Sequence, residues 1–399
     1  MKMGHSASCL RHSYKTQLLI PHPTLHLIPE GHHTMAPAFP IELCYSIIQN
    51  VNAVADLLVL SLCCSEFRKE AQRLLFRHPV TSTHEELMLF ILAICSDSSR
   101  LGPLVHTFTM EYNPGPNANV SQDTAFIAYA LSSMYNLMQV EHHASLLLPP
   151  KIYTNCKASL ESFNYYGDSK TTLDISSLVY DVLPTQASLT HIIMDFTGTV
   201  RISPKLMKAA ANLCPNLISL SVKSSVIGKM LLQRKKHLQS LQWLAGTSTP
   251  IGMTVLQYNH LSYLMLLTLA RGLDTSFAQH LSSLALLEIC FNPGWDTDIL
   301  LSEIQFIAQI PQLHYLMLHI GIPAIPQSLE DGQQMECPEV ARGAFRLRNT
   351  LKHIDVGSIR ERPSAYLRIF APSNEYDTPQ SHIISGKEID AFRIKYSLR

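Results

Sequence analysis

The segments "LSYLML" (residues 261–266), "LALLEI" (residues 284–289) and "LHYLML" (residues 313–318) share one spacing of apolar residues. An apolar side chain stands at the first position of each segment and again three and five positions later. Seven further segments follow this pattern and begin at residues 105, 137, 160, 189, 217, 238 and 351, with His142 in place of the last apolar residue of the segment at 137. Because side chains alternate between the two faces of a strand, the pattern predicts short strands that turn one face towards a shared core.

Successive segments begin 21 to 38 residues apart, and seven of the nine intervals lie between 21 and 29 residues. Intervals of roughly 20 to 29 residues are typical of leucine-rich repeats, which this part of the chain resembles. Helix signals lie between the segments, such as Asp298 ahead of "ILLSEIQFIAQI". The usual asparagine after the last apolar position is present only as Asn113 and Asn292, so the repeats are irregular. The expected fold class is therefore α/β, with a leucine-rich-repeat solenoid of curved parallel sheet and outer helices behind a short three-helix segment.

The residues between the apolar positions are expected to project from the opposite face of the sheet. Tyr, Met and His on such a face suit protein recognition, because they combine apolar area with a polar tip. A register error of one residue would reverse the two faces. The face also carries His106, Glu141, Glu161, Asn164, Lys352, His353 and Asp355. The candidate substrate-binding residues are His191, Gln242, Tyr263, Met265, Glu288, His314, Tyr315 and Met317.

The segment "FPIELCYSIIQNVNAVADLLVLSLCCSEFRKEAQRLLF" (residues 39–76) precedes the repeats and contains three short helical patterns. Pro40 suits the first turn of a helix, and Leu43 and Ile47 then share one face with two other apolar residues. The second pattern, "LLVLSLCC", is apolar on all sides, which predicts that its neighbours enclose it. Three helices of this length bury too little surface to be stable alone, so we expect an apolar side to be covered by something else.

The order of residues in this segment resembles an F-box, especially the fungal kind. Phe39 and Phe67 stand where that family usually has Leu and Trp. The resemblance implies docking onto an adaptor of the Skp family, which links such proteins to a cullin–RING ubiquitin ligase. The adaptor-binding residues that it implies are Phe39, Pro40, Leu43, Ile47, Leu57, Leu60, Cys64 and Phe67. The alternative is that the three helices only cap the open end of the repeat stack.

Composition narrows the classes of function. Lys plus Arg and Asp plus Glu number 31 each, so no net positive charge favours nucleic acid as a partner. No apolar run approaches the roughly 18 residues that a membrane span needs, so no membrane partner is expected. The nine cysteines, an odd number that lies mostly in apolar runs, are expected to be reduced thiols in the cytoplasm or nucleus.

The sequence contains no glycine-rich phosphate loop, no G-x-S-x-G motif and no C-x-x-C pair. We therefore expect no enzyme activity and no catalytic, cofactor or metal site. The expected organisation is a disordered leader (1–35), an F-box-like helical domain (36–80), an irregular repeat domain (81–370) and a C-terminal cap or tail (371–399). The resemblance implies a substrate-recognition adaptor of an SCF-type ubiquitin ligase. The alternative is a repeat-based interaction scaffold with no ligase link.

Overall fold

One 13-stranded sheet runs through the computed structural model, and its strands lie side by side in chain order. Neighbouring strands are parallel from β1 to β11, whereas β12 and β13 are antiparallel. The described residues are 40–51, 53–115, 118–144, 148–167, 177–196, 203–204, 213–232, 235, 237–244, 258–268, 276–322, 325, 338–358, 365–372 and 379–397. The strands are β1 Val80–Thr81, β2 Thr107–Tyr112, β3 Gln139–Ala144, β4 Ser162–Gly167, β5 His191–Phe196, β6 Ser219–Val222, β7 Ser240–Trp243, β8 Tyr263–Thr268, β9 Leu286–Phe291, β10 Tyr315–Ile320, β11 His353–Ser358, β12 Ala365–Phe370 and β13 Ser381–Ser385.

The register of the sheet follows the repeated pattern strand by strand from β2 to β11. The residue two places after the start of each pattern pairs with its counterpart on the next strand, in the series Thr107, Gln139, Ser162, His191, Ser219, Ser240, Tyr263, Leu286, Tyr315 and His353. The first, fourth and sixth residues of all ten patterns are buried. This regular stacking confirms the expected α/β solenoid, in which each strand shares one core with its neighbours.

Helices and shorter helical turns connect the strands and cover the core side of the sheet, where Ile91, Ile127 and Met230 join the main apolar cluster. One cap differs from expectation, because the side chain of Asp296 and not of Asp298 accepts the Ile299 amide at the start of its helix. The helices are α1 Ile41–Gln49, α2 Val54–Cys63, α3 Ser65–Arg77, α4 His84–Ser96, α5 Ser98–Leu101, α6 Val120–Ser133, α7 Ser225–Leu232, α8 Thr297–Glu303, α9 Glu339–Leu347 and α10 Gly386–Ser397. Within the described ranges, no single helix has the length and apolar character to cross a membrane, and one sharply bent pair passes that test by length and composition alone.

The first three helices form a small unit around Ile48, Leu57 and Ala71. This unit is continuous with the solenoid, because Phe76 at the end of α3 packs against the main core and lies 5.8 Å from the Phe90 ring. The chain then enters β1, which pairs with β2 as the first strand of the sheet. The sheet thus begins at Val80, and the helical unit lies at its N-terminal edge. Phe39 and the expected leader lie outside the described residues.

The C-terminal part of the chain extends and then covers the sheet. β12 and β13 add two antiparallel strands after β11, so the sheet continues past residue 370. Helix α10 then packs on the sheet face opposite the main core, where its residues Ile389 and Tyr396 join Tyr263, Leu286 and Met317 in a second apolar cluster. We call this sheet face the concave face.

Candidate interaction surfaces

The first candidate surface consists of exposed apolar side chains on α1 and α2. We call it the N-terminal apolar face and define it by five exposed side chains. Its α1 members are exposed, whereas Cys44 and Ile48 of the same helix are buried. Neither α1 nor α2 contains a basic residue, and their acidic residues are Glu42 and Asp56. The members of the face are Ile41, Leu43, Ile47, Val59 and Leu62.

The implied adaptor-binding residues divide into three groups in the structure. Pro40, Leu43, Ile47 and Cys64 are exposed on the helical unit. Leu60 and Phe67 are half-buried and pack against the small core of the unit. Leu57 is 6% exposed, which corrects its expected place on the surface. It is enclosed because α2 is apolar on all sides and turns this residue towards α1 and α3.

Large exposed apolar side chains of this kind have a physical meaning when they are grouped. Leu62 is 73% exposed and Val59 is 62% exposed, although both belong to a predominantly apolar helix. Grouped apolar surface on a folded unit marks a site of contact with another protein more often than isolated residues do. The N-terminal apolar face therefore has the composition of a protein-docking surface with little charge.

The second candidate surface is the concave face, and its two halves differ in chemistry. On β2 to β7, the residues that project from it are mostly small and polar, including Thr109, Ser162 and Ser221. On β8 to β11 they are larger, including Tyr263, Tyr315 and Met317. Helix α10 lies over this second half and not over the first, which we call the open half.

Aromatic contacts hold α10 against the sheet. The Phe392 ring lies 5.0 Å from the Tyr315 ring in an edge-to-face arrangement, and the Tyr396 ring lies 5.2 Å from the same Tyr315 ring. The Arg368 guanidinium lies over the Phe392 ring at 5.4 Å. The Ser262 hydroxyl also donates a 2.8 Å hydrogen bond to the carbonyl oxygen of Tyr396.

A buried ion pair lies at the centre of this contact. The Glu288 side chain has no exposed surface, and the Arg393 guanidinium of α10 donates to its carboxylate through Nε at 2.9 Å and also through Nη2. The Tyr263 hydroxyl donates to the same carboxylate at 2.7 Å, and His319 Nε2 lies 2.6 Å from it. Burial alone would raise the pKa of Glu288, but the hydrogen bonds and charges of His319 and Arg393 outweigh burial and lower the pKa.

This arrangement changes the assignment of several candidate substrate-binding residues. Tyr263, Glu288 and Met317 project from the expected face but are at most 1% exposed, because α10 covers them. Met265 and Tyr315 are half-buried against the same helix. Five of the eight candidate substrate-binding residues therefore belong to the cluster that helix α10 covers in this structure.

The other three candidates lie outside this covered cluster. His191 and Gln242 are half-buried on the open strands β5 and β7. His314 is half-buried immediately before β10, where its ring lies 6.1 Å from that of Tyr315.

Sequence reasoning missed the residues of α10 that make the cover. Ile389, Phe392 and Tyr396 are spaced three and four residues apart, which is a helical pattern, and Arg393 lies beside them. That pattern identifies an amphipathic helix but does not identify the surface that the helix covers.

Glu288, Cys290 and His319 also have ligand atoms within 4.8 Å of one another, a spacing that could hold a metal ion. The carboxylate of this group is already neutralised by the Arg393 guanidinium. A cation at this position would have to displace α10. The geometry therefore assigns these residues to the ion pair.

The open half of the concave face forms a shallow groove. His191 Nδ1 lies 2.8 Å from the Thr190 hydroxyl, whereas its Nε2 is buried without a partner among the described residues. The Glu141 carboxylate lies 2.7 Å from His143 Nε2, and Lys223 donates to Asp195 at 2.6 Å. The groove residues are Thr107, Met138, Gln139, Glu161, Ser162, Asn164, Thr190, His191, Ile192, Ile193 and Ser219.

One core position of the repeats holds a histidine. His142 occupies the place where other repeats have an apolar side chain, and it is completely buried. Its Nδ1 lies 3.0 Å from the Tyr153 hydroxyl, and its Nε2 has no partner within the part of the chain that is described. Burial, together with the neighbouring His143, lowers the pKa of His142 to about 3.

This histidine should make the protein less stable in acid. An unfolded histidine binds a proton below a pH of about 6.5, whereas folded His142 does not until the pH nears 3. As the pH falls through that interval, its contribution should lower the free energy of unfolding by up to about 1.4 kcal/mol per pH unit. Denaturant unfolding at several pH values measures the slope. The double variant His142→Phe/Tyr153→Phe should lose this part of the slope, and an unchanged slope would contradict the assignment.

No protein-family model matches this chain, and no curated protein matches it either. A leucine-rich-repeat protein from Leptospira interrogans is similar over 66% of this chain and 70% of its own, with 12% identity and a TM-score of 0.32. The crystallised complex of Rad7 and Elc1 from yeast is similar over 70% of this chain and 88% of the matched chain, with 12% identity and a TM-score of 0.33. These likenesses assign neither a family nor a partner. The chain's own register and burial define it as a leucine-rich-repeat solenoid with an N-terminal helical unit.

Proposed function

We propose that this protein is a non-enzymatic substrate-recognition adaptor of an SCF-type cullin–RING ubiquitin ligase. In this proposal, the N-terminal apolar face binds a Skp-family adaptor, and the open half of the concave face binds a protein substrate. The observation that carries the proposal is the exposure of Leu43, Ile47, Val59 and Leu62 on a small unit that the solenoid leaves uncovered. An F-box-like segment needs such a surface, because the adaptor supplies the apolar contacts that three short helices lack.

The two surfaces lie on separate elements, which suits a bridging role. The N-terminal apolar face belongs to α1 and α2, whereas the open groove belongs to β2 to β6. An adaptor on the first surface therefore leaves the second available to a substrate. The proposed partners are a Skp-family adaptor, the cullin–RING ligase that it recruits and a protein substrate, with no cofactor.

The thiols fit a reducing compartment, and we propose that the protein acts in the cytoplasm or nucleus. All seven cysteines in the described ranges are free, and Cys63 and Cys64 are exposed on the helical unit. Free exposed thiols are usual where glutathione and thioredoxin keep cysteines reduced.

A second function is favoured by a different observation. Phe76 of α3 packs on the main core, and β1 pairs with β2 immediately afterwards, so the helical unit also covers the N-terminal end of the stack. A solenoid needs such a cap to keep its terminal apolar surface out of water. On this evidence alone, the protein would be a repeat-based interaction scaffold with no ligase link.

A calorimetric titration of the full chain with a purified Skp-family adaptor separates these functions. The adaptor proposal expects a saturable complex of one adaptor per chain. The scaffold alternative expects no heat of binding at concentrations where the adaptor itself is soluble and monomeric. Absence of binding heat would contradict the ligase role and would support a helical unit that only caps the solenoid.

A further inference from the structure

The open half of the concave face is acidic, although the whole chain has no net charge. Among the described residues of β2 to β7 and the described positions next to them, four carboxylates border this surface: Glu111, Glu141, Glu161 and Asp195. The ammonium group of Lys223 is the one Lys or Arg charge among the described residues of these strands and the positions directly after them, and it is paired with Asp195. With histidines neutral, four negative charges against one positive charge leave a formal charge of −3.

The covered half of the same face shows how this surface binds a cation. Glu288 lies four places after the start of its repeat pattern and holds the Arg393 guanidinium through two nitrogens. Glu141 occupies the same place in its own repeat on β3. Its partner there is His143 Nε2, and the side chains of both residues remain about one-quarter exposed, at 24% and 23%. A guanidinium binds a carboxylate through two parallel hydrogen bonds, which one imidazole nitrogen cannot do.

The floor of the groove is low and rich in hydrogen-bonding groups. Thr107, Ser162 and Ser219 alternate with Gln139 and His191 in one register row, where the covered half has Tyr263 and Tyr315. Short side chains leave room above the sheet for a segment of another protein. The Nε2 of His191, which has no partner among the described residues, lies in this same region and is nearly inaccessible to water.

The dimensions favour an extended segment. Neighbouring strands lie about 4.8 Å apart, so the distance from β2 to β6 is roughly 19 Å. An extended chain advances about 3.3 Å per residue, and about six residues therefore cross this distance. Side chains that alternate along such a segment would meet the carboxylates at intervals and place small residues on the floor.

We propose that the open half of the concave face binds an extended protein segment that carries arginine or lysine side chains between small polar residues. The inference rests on the proposed function only in taking this face as the substrate surface. The negative charge disfavours nucleic acid and acidic peptides, because both would meet like charges.

The test is fluorescence anisotropy with the full chain and three labelled peptides of about eight residues, slightly longer than the roughly six residues that cross the groove. One peptide alternates Arg with Ser, the second alternates Gln with Ser, and the third alternates Glu with Ser. At about 0.05 M salt, where exposed charges are weakly screened, the Arg peptide should bind at least about tenfold more tightly than the other two. Equal binding of the Arg and Gln peptides would overturn the proposal.

Matched variants then locate the binding. Glu141→Gln/Glu161→Gln removes two carboxylates from the open half and should weaken binding of the Arg peptide by at least about tenfold. Glu85→Gln/Asp181→Asn removes two exposed carboxylates from helical segments outside this face and should change the affinity by less than about twofold. Equal losses in both variants would show attraction by overall charge and would overturn the site.

The same variants keep this inference separate from the adaptor proposal. Glu141→Gln/Glu161→Gln should leave binding of the Skp-family adaptor unchanged, because both residues lie away from α1 and α2. If the Arg peptide binds and the adaptor does not, the peptide-binding proposal is supported and the ligase role is wrong. If the adaptor binds and the Arg peptide does not, the peptide-binding proposal is wrong and the adaptor proposal is supported.

Discussion

Replacement of Arg393 by Met is expected to release α10 from the concave face. The substitution keeps much of the apolar stem but removes the guanidinium that neutralises the fully buried Glu288 carboxylate. Removal of one partner from a buried ion pair costs about 3–5 kcal/mol, because the other charge is left without compensation in the interior. His319 and Tyr263 stay within hydrogen-bond distance of that carboxylate but do not supply a permanent positive charge.

Hydrogen exchange of the α10 amides measures this release. A loss of about 3 kcal/mol corresponds to amide exchange that is roughly 100-fold faster, if opening of the helix controls it. Asp390→Asn is a matched control, because Asp390 contacts the same guanidinium at 3.1 Å but is 67% exposed. That exposed pair should contribute less than about 1 kcal/mol.

A double variant tests the electrostatic reason. Glu288→Gln/Arg393→Met removes both charges, so its loss of protection should be smaller than that of Arg393→Met alone. Exchange at the wild-type rate in Arg393→Met would show that the aromatic contacts alone hold α10, and the ion-pair account would then be wrong.

Leu43→Glu/Ile47→Glu is expected to abolish binding of a Skp-family adaptor while leaving the fold intact. Leu43 is 49% exposed and Ile47 is 44% exposed, so carboxylates at these positions can remain in water in the free protein. In the proposed complex both positions would be buried against apolar partner groups, and two buried charges without partners are costly. We expect at least about 100-fold weaker binding, or about 2.7 kcal/mol.

Leu89→Glu/Leu92→Glu is the matched control for this effect. These leucines lie on α4 of the repeat domain and are 41% and 47% exposed, nearly the same as the α1 pair. The control should bind the adaptor as the wild type does, and thermal unfolding should show that both variants are folded. Equal binding by the wild type and the α1 variant would contradict an adaptor-binding site at Leu43 and Ile47.

The register and the core could be predicted from the sequence because both depend on a local pattern. Each repeat fixes its own inward residues within six positions, and stacking only requires that neighbouring repeats use the same spacing. The position of His142 shows how strongly the pattern acts, since a histidine is buried there although its Nε2 has no partner in the described part of the chain.

The cover over the concave face could not be predicted in the same way. Arg393 and Glu288 are 105 residues apart in the chain, and no local pattern connects them. Tyr315 and Met317 have the same chemistry whether they bind another protein or the chain's own helix. The aromatic character of this half indicated a binding surface but not its occupant.

Leu57 shows a similar ambiguity on a smaller scale. Its helix, α2, has apolar residues around most of its circumference, so the sequence does not say which side turns inward. The packing of α1 and α3 decides this, and it places Leu57 with Ile48 and Ala71 while Val59 and Leu62 remain exposed.

Hydrogen exchange of the full chain with and without a saturating Skp-family adaptor tests the central claim most directly. The claim is that one end of the protein binds the adaptor while the open half of the concave face stays free. We predict slower exchange in α1 and α2, residues Ile41–Gln49 and Val54–Cys63, and unchanged exchange in β3 to β6. Unchanged exchange in α1 and α2, or protection of the concave strands instead, would contradict this account.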